Sequence, residues 1–125
     1  MLKKRIIILL VIVMMLSLCC STALAAKRAS VDLSYGAYQA SGTNKYTFWA
    51  ELKSSLPEDL DITVTVYRLS GSSRIRVGSD TDSDTNATRV RATTTITIVP
   101  GSTYILEASG SGDTTSVSDT RYYYL

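Results

Sequence analysis

The chain has 125 residues, 45% of them hydrophobic and 19% charged, with two cysteines and no histidine. That length holds one modest domain, and the missing histidine removes the usual acid–base group near neutral pH. A formal charge of +2 supplies no strong field for gathering nucleic acid or an anionic surface.

Composition changes abruptly near residue 26. Lys3, Lys4 and Arg5 open the chain, an unbroken apolar run follows from Ile6 to Leu16, and Ala23-Leu24-Ala25 closes the segment with small residues. This is the pattern of an export signal cleaved after Ala25, with Ala23 and Ala25 forming the small-x-small site. A membrane span needs about 20 apolar residues, whereas Ser17 ends this run after eleven. Leu18 precedes Cys19 and Cys19 precedes Cys20. Neither is the small residue that a lipoprotein signal places before its modified cysteine, so a released protein is expected. Residues 1–25 are thus expected to be a signal and 26–125 a single secreted, extracellular domain with no membrane attachment after cleavage. Three of the 13 basic residues leave with the signal, so ten face the 11 acidic ones in what remains. Both cysteines leave too, and packing must hold the domain without a disulfide.

From residue 29 the apolar period is two, in short runs bounded by Gly, Ser, Asn, Asp and Pro, which predicts half-buried antiparallel strands and no helix of useful length. Val31, Leu33 and Tyr35 mark the first strand. Tyr46, Phe48, Ala50 and Leu52 point inward from the second, leaving Trp49 and Glu51 outside. A turn is expected around Pro57-Glu58-Asp59. The third strand runs from Leu60 to Leu69, with Ile62, Val64 and Val66 inward and Tyr67 outward. A hairpin at Ser70–Ser73 leads to a short fourth strand with Ile75 and Val77 inward. After a polar loop, the fifth strand turns Val90, Ala92, Thr94, Ile96 and Ile98 inward until Pro100-Gly101. Thr103–Ser109 forms the sixth, and the seventh lies within 115–125. Parallel pairing needs crossovers of a dozen residues or more, and no loop here holds one. The expected fold is all-β, an antiparallel sandwich of about seven strands, with a small β-barrel as the alternative.

The stretch Ile98-Val99-Pro100-Gly101-Ser102-Thr103-Tyr104-Ile105-Leu106-Glu107-Ala108 resembles the penultimate-strand corner of immunoglobulin-like and fibronectin-type-III-like domains. In those families a turn precedes a strand whose tyrosine hydroxyl bonds to nearby backbone, and Tyr104 stands in that place. The cysteine pair and mid-domain tryptophan of true immunoglobulin domains are missing, and Trp49 on the second strand looks more like the fibronectin arrangement. The whole resembles small exported bacterial single-domain proteins without an assigned activity. That resemblance implies a fold and a location.

Several residues could carry function. Trp49 and Tyr67 sit outward, and flat rings beside hydroxyls suit sugars, although cross-strand packing on threonines is the more ordinary explanation of them. Asp80, Asp82, Asp84 and Asn86 place oxygens at alternate positions of one expected loop, as calcium loops do. Thr85 stands where the sharp turn needs glycine and Arg91 where the bidentate glutamate belongs, so a solvated acidic loop competes with calcium as the reading. Arg74 with Arg76, and Arg89 with Arg91, form outward pairs suited to an anion or simply to solubility. Thr93, Thr95 and Thr97 make an outward row that β-propensity explains. The closing Tyr122-Tyr123-Tyr124-Leu125 cannot turn every ring inward and offers an edge to another strand. Without histidine or a retained cysteine, and with its carboxylates on outward registers or in loops, the domain is expected not to be an enzyme. The expected function is a non-catalytic binding module for surface glycan or protein, the alternative a structural or assembly protein pairing through its C-terminal strand. No cofactor is expected, with calcium at the acidic segment as the exception, and no nucleic acid is expected as partner.

Overall fold

A computed structural model describes residues 29–40 and 44–125, so the export signal and its cleavage site at Ala23 and Ala25 lie outside the described residues. Five strands follow one another: β1 (Val31–Gln39), β2 (Lys45–Ser70), β3 (Ser73–Thr97), β4 (Thr103–Ser111) and β5 (Ser116–Tyr124). All pair antiparallel within a single sheet. The all-β expectation holds, and the strand count falls from seven to five because two expected interruptions stay extended. Pro57-Glu58-Asp59 does not turn the chain. It sits in β2 between register shifts at Lys53/Glu58 and Glu58/Leu60. The expected polar loop after Val77 is paired strand, with Val64 opposite Asp80, Ile62 opposite Asp82 and Leu60 opposite Asp84. Hydroxyl pairs along this ladder offset the poor strand propensity of aspartate. Thr63 and Thr81 meet at 3.0 Å, Thr65 and Ser79 at 3.4 Å, and Ser83 Oγ donates to Asp61 at 2.5 Å.

One flank of β2 is taken by β3 along most of its length, while the other is shared, β1 pairing with Tyr46–Ser54 and β4 with Asp61–Arg68. The two long strands bend at their bulges, and the sheet curls into a half-barrel. Its inner face carries the expected alternation: Phe48, Ala50, Leu52, Ile62, Val64, Val66, Val90, Ala92, Tyr104 and Leu106 are buried. Ile75 is the exception. It lies opposite Arg68 and is 42% exposed.

Curling brings separate stretches of chain face to face at two seams. At one, Asp80 Oδ2 accepts the Thr93 backbone N–H at 3.0 Å, joining the two halves of β3. Asn86, at φ 50°, lies between them in a left-handed conformation that asparagine tolerates better than most residues. At the other, the Tyr35 hydroxyl of β1 donates to Asp119 Oδ2 of β5.

The corner before β4 matches its expectation in detail. The Val99 N–H donates to the Tyr104 hydroxyl at 2.7 Å, while Gly101, at φ 81°, donates its N–H to the Leu125 carbonyl at 2.6 Å. Tyr104→Phe strands the Val99 donor and should cost about 1–3 kcal/mol. Tyr123 gives the opposite expectation. Its hydroxyl is buried with no hydrogen bond of ordinary geometry among the described residues, and desolvation raises its pKa against the opposing pull of the nearby Arg121 guanidinium. Tyr123→Phe should therefore leave stability unchanged or slightly raised, and urea unfolding of the two variants side by side checks both.

Candidate binding surface

The outer face of the curled sheet divides into two regions that carry the sequence-predicted aromatic residues separately. Trp49 lies between Gly36 of β1 and Thr93 of β3, and Tyr67 between Arg76 of β3 and Ile105 of β4. The structure does not bring them together. The Trp49 ring is already engaged: Arg91 stacks with its guanidinium carbon 4.6 Å from the ring centroid, and a Cβ at Gly36 would stand 3.1 Å from the indole. Beside it, Glu51 draws in Lys53 at 3.5 Å, Arg89 at 3.8 Å and Arg91 at 3.9 Å. The arginine pair 89/91 thus shares one carboxylate. In the other pair, Arg74 bonds Glu107 at 3.0 Å and lies 5.0 Å from the Tyr67 ring centroid.

Around Tyr67 the surface is different. Directly opposed residues share a face, so Arg76, Tyr67, Ile105 and Tyr122 form one row across four strands, and Thr103 with Tyr124 starts the next. Ile105 is only 1% exposed although it faces away from the core, while Tyr122 is 51% and Tyr124 82% exposed. The sequence pointed to the terminal tyrosines but missed their junction with Tyr67. An available signal was Ile105, an apolar residue on an otherwise polar outward register.

The four residues considered for calcium do not gather. Asp80, Asp82 and Asp84 alternate along β3 instead of circling a loop, and alternate strand residues stand roughly 6.5–7 Å apart. Each of the three aspartates also accepts a backbone N–H: Asp80 from Thr93, Asp82 from Ser83 at 3.0 Å and Asp84 from Thr85 at 2.9 Å. Asn86 instead donates its own N–H to Asp59 Oδ1 at 3.2 Å. No group of three or more side chains able to hold a metal occurs among the described residues.

The same device recurs on β5, where the Thr120 N–H donates to Asp119 Oδ1 at 2.8 Å. The Leu125 N–H points the other way, to the Ser102 carbonyl beside β4. Backbone direction alternates along an antiparallel ladder, so odd-numbered residues of β5 bond to β4 and even-numbered ones present N–H and C=O to an open edge. Ser118 through Tyr122 are all exposed. Asp119 is held below the usual carboxylate range by the Tyr35 hydroxyl and then by the Thr120 N–H, and the same bond to Asp119, followed by desolvation, raises Tyr35. A depressed carboxylate stabilises the fold above its ordinary pKa of about 4, and that contribution is lost as pH falls through the lowered value. Tyr35→Phe should therefore flatten part of the decline in melting temperature between pH 5 and pH 2, roughly the window of that titration. An unchanged acid limb would show that this seam does not titrate.

A shallow depression of about 250 Å³ lies nearby, lined by Asp61, Ser109, Gly110, Ser116, Val117 and Ser118. Its lining holds hydroxyls and one carboxylate, Asp61, which accepts the Ser83 hydroxyl.

With this geometry in hand, solved structures give a comparison. CsgH of R. palustris superposes with a TM-score of 0.51 at 13% identity, over 73% of this chain and 90% of that one. The likeness is one of fold. A part of the Parabacteroides merdae β-glucuronidase also superposes, at a TM-score of 0.51 and 15% identity, covering 77% of this chain but only 13% of the enzyme. The E. coli curli protein CsgC gives 0.48 at 16% identity, over 73% and 97% of the two chains. Neither a protein-family model nor a curated protein matches the sequence.

Proposed function

We propose that this is an exported, non-catalytic domain with a structural or assembly role, holding another polypeptide along the free edge of β5 and the tyrosines beside it. The observation that carries this reading is the exposed stretch Ser118–Tyr122, whose even-numbered backbone groups face away from β4, next to Tyr122 and Tyr124. Addition of an extended strand to such an edge supplies main-chain hydrogen bonds, and exposed rings alongside add apolar contact. The lack of histidine supports the non-catalytic reading, and the basic–apolar–small pattern of residues 1–25 supports export. The immunoglobulin-like reading is supported by the bulges at which β2 and β3 could each be counted as two strands and by the Tyr104 bond at the expected corner. The test is Tyr124→p-benzoylphenylalanine in producing cells, irradiated and compared with the same probe at Thr81, which is exposed on β3. A discrete polypeptide adduct from position 124 and none from 81 is the expected result. No adduct, or equal adducts at both, overturns the reading.

A second reading is a surface glycan lying on the same face, favoured by Tyr67 and Tyr122 flanking Ile105 with Thr103 and Thr120 close by. A glycan array repeated with Tyr122→Ala separates it. Ligand lost with the ring supports a glycan, and no ligand above background removes it.

A further inference from the structure

The edge of β5 is self-complementary. Its sequence Ser116-Val117-Ser118-Asp119-Thr120-Arg121-Tyr122-Tyr123-Tyr124 can be laid antiparallel against a second copy of itself about a two-fold axis through Thr120. In that register Asp119 stands opposite Arg121 of the second copy, and Arg121 opposite its Asp119. Val117 stands opposite Tyr123, Ser118 opposite Tyr122 and Ser116 opposite Tyr124. Both charge pairs are matched and both inward apolar pairs are matched, which neighbouring registers do not achieve: centred on Asp119 or on Arg121, the axis sets that residue against its own like charge.

The backbone agrees with the side chains. Thr120 directs its N–H away from β4, onto Asp119 Oδ1, so the residue on the axis is one whose main chain faces the incoming strand. On pairing, that N–H passes to the Thr120 carbonyl of the second copy, and the vacated carboxylate oxygen meets Arg121 of the second copy. On β3, three outward N–H groups are obstructed. Asp80 occupies the Thr93 N–H, while Asp82 and Asp84 cover those of Ser83 and Thr85. Along β5 only Thr120 is covered in this manner among the hydrogen bonds described, and Arg121, two residues from Asp119, lies over the Tyr123 ring at 5.4 Å from its centroid and would turn from it to the second copy.

The geometry points to a symmetric dimer of this chain, formed by antiparallel pairing of β5 with β5 about Thr120, so that two curled sheets become continuous. This rests on the strand-addition reading above and names its occupant. A nine-residue edge is small beside standard interfaces, so association is reversible and concentration-dependent.

Position-specific crosslinking tests the register. Opposed residues of a hydrogen-bonded antiparallel pair have Cα atoms about 5.5 Å apart, within disulfide range. Thr120→Cys should therefore give a disulfide-linked dimer under mild oxidation, while Ser116→Cys, whose counterpart lies eight residues off at roughly 26 Å, should not. In sedimentation velocity the native protein should dimerise with rising concentration. Arg121→Asp should weaken this at least about tenfold, and Arg121→Asp combined with Asp119→Arg should restore it. Circular dichroism checks that each variant is folded, and Thr120→Pro, which removes the outward donor at a position an edge strand tolerates, serves as a second disruption. A native protein that stays monomeric to about 1 mM, far above the micromolar range of specific association, overturns the dimer, as does equal crosslinking at 116 and 120. If Tyr124→p-benzoylphenylalanine still captures a different polypeptide in that case, strand addition stands and only the second copy falls. If it captures nothing, both fall.

Discussion

Phe48→Ala should lower the unfolding free energy by about 3–5 kcal/mol. Phe48 is fully buried on the inner face of β2, with Ala37 of β1 on one side and Thr94 of β3 on the other. Its ring meets Tyr123 edge-on at 5.6 Å and Tyr104 at 6.4 Å between centroids. It therefore ties the first half of β2 to β4 and β5, strands that pair with the second half or beyond, and its loss opens a cavity where the curled sheet closes on itself. For a domain near 100 residues each kcal/mol moves the melting temperature by roughly 4–8 °C, so a drop of at least about 12 °C is expected in a thermal scan. Phe48→Leu should recover much of it by refilling the space. A Phe48→Ala protein melting within a few degrees of the parent would mean that the two halves of the sheet do not share this core.

Gly78→Ala is expected to cost about 1–3 kcal/mol through overpacking. A Cβ there would stand 2.7 Å from Thr94 Oγ1 and 2.9 Å from Ile96 Cγ2, on short β-branched side chains with little room to move. Gly112 supplies the contrast. A Cβ at that position would stand 1.9 Å from Glu58 Oε1, but this is the far end of a flexible side chain, and Gly112→Ala should cost far less. Urea denaturation of both variants measures the difference. Equal costs would show that β3 does not fold back on itself at Gly78.

The inner face was legible residue by residue, because period-two alternation over Phe48–Leu52, Ile62–Val66 and Val90–Ile98 specifies one buried side of a strand. The Tyr104 corner was legible too, since turn and tyrosine lie close together in sequence. What escaped reading depended on partners distant in sequence. Asp80 to Asn86 looks like a loop by composition, yet Ile62 and Val64 across the ladder hold it extended, and its aspartates accept backbone N–H groups. Pro57 looks like a turn, yet a bulged strand absorbs it. The surface around Ile105 was hidden for the same reason: Tyr67, Ile105 and Tyr122 come from three strands, and only their register makes them neighbours. Trp49 was rightly placed outward, but the cross-strand Arg91 that covers it was not foreseen.

The working surface proposed for this protein requires β5 to be docked on β4 along one side and open along the other. Amide hydrogen exchange followed by NMR in a dilute sample tests this most directly. Val117, Asp119, Arg121 and Tyr123 should exchange slowly while Ser118 and Tyr122 exchange fast, Thr120 being held by Asp119, and protection of Ser118 and Tyr122 should appear as concentration rises. Uniformly fast exchange across Ser116–Tyr124, or slow exchange of Ser118 and Tyr122 in the dilute sample, would contradict the account.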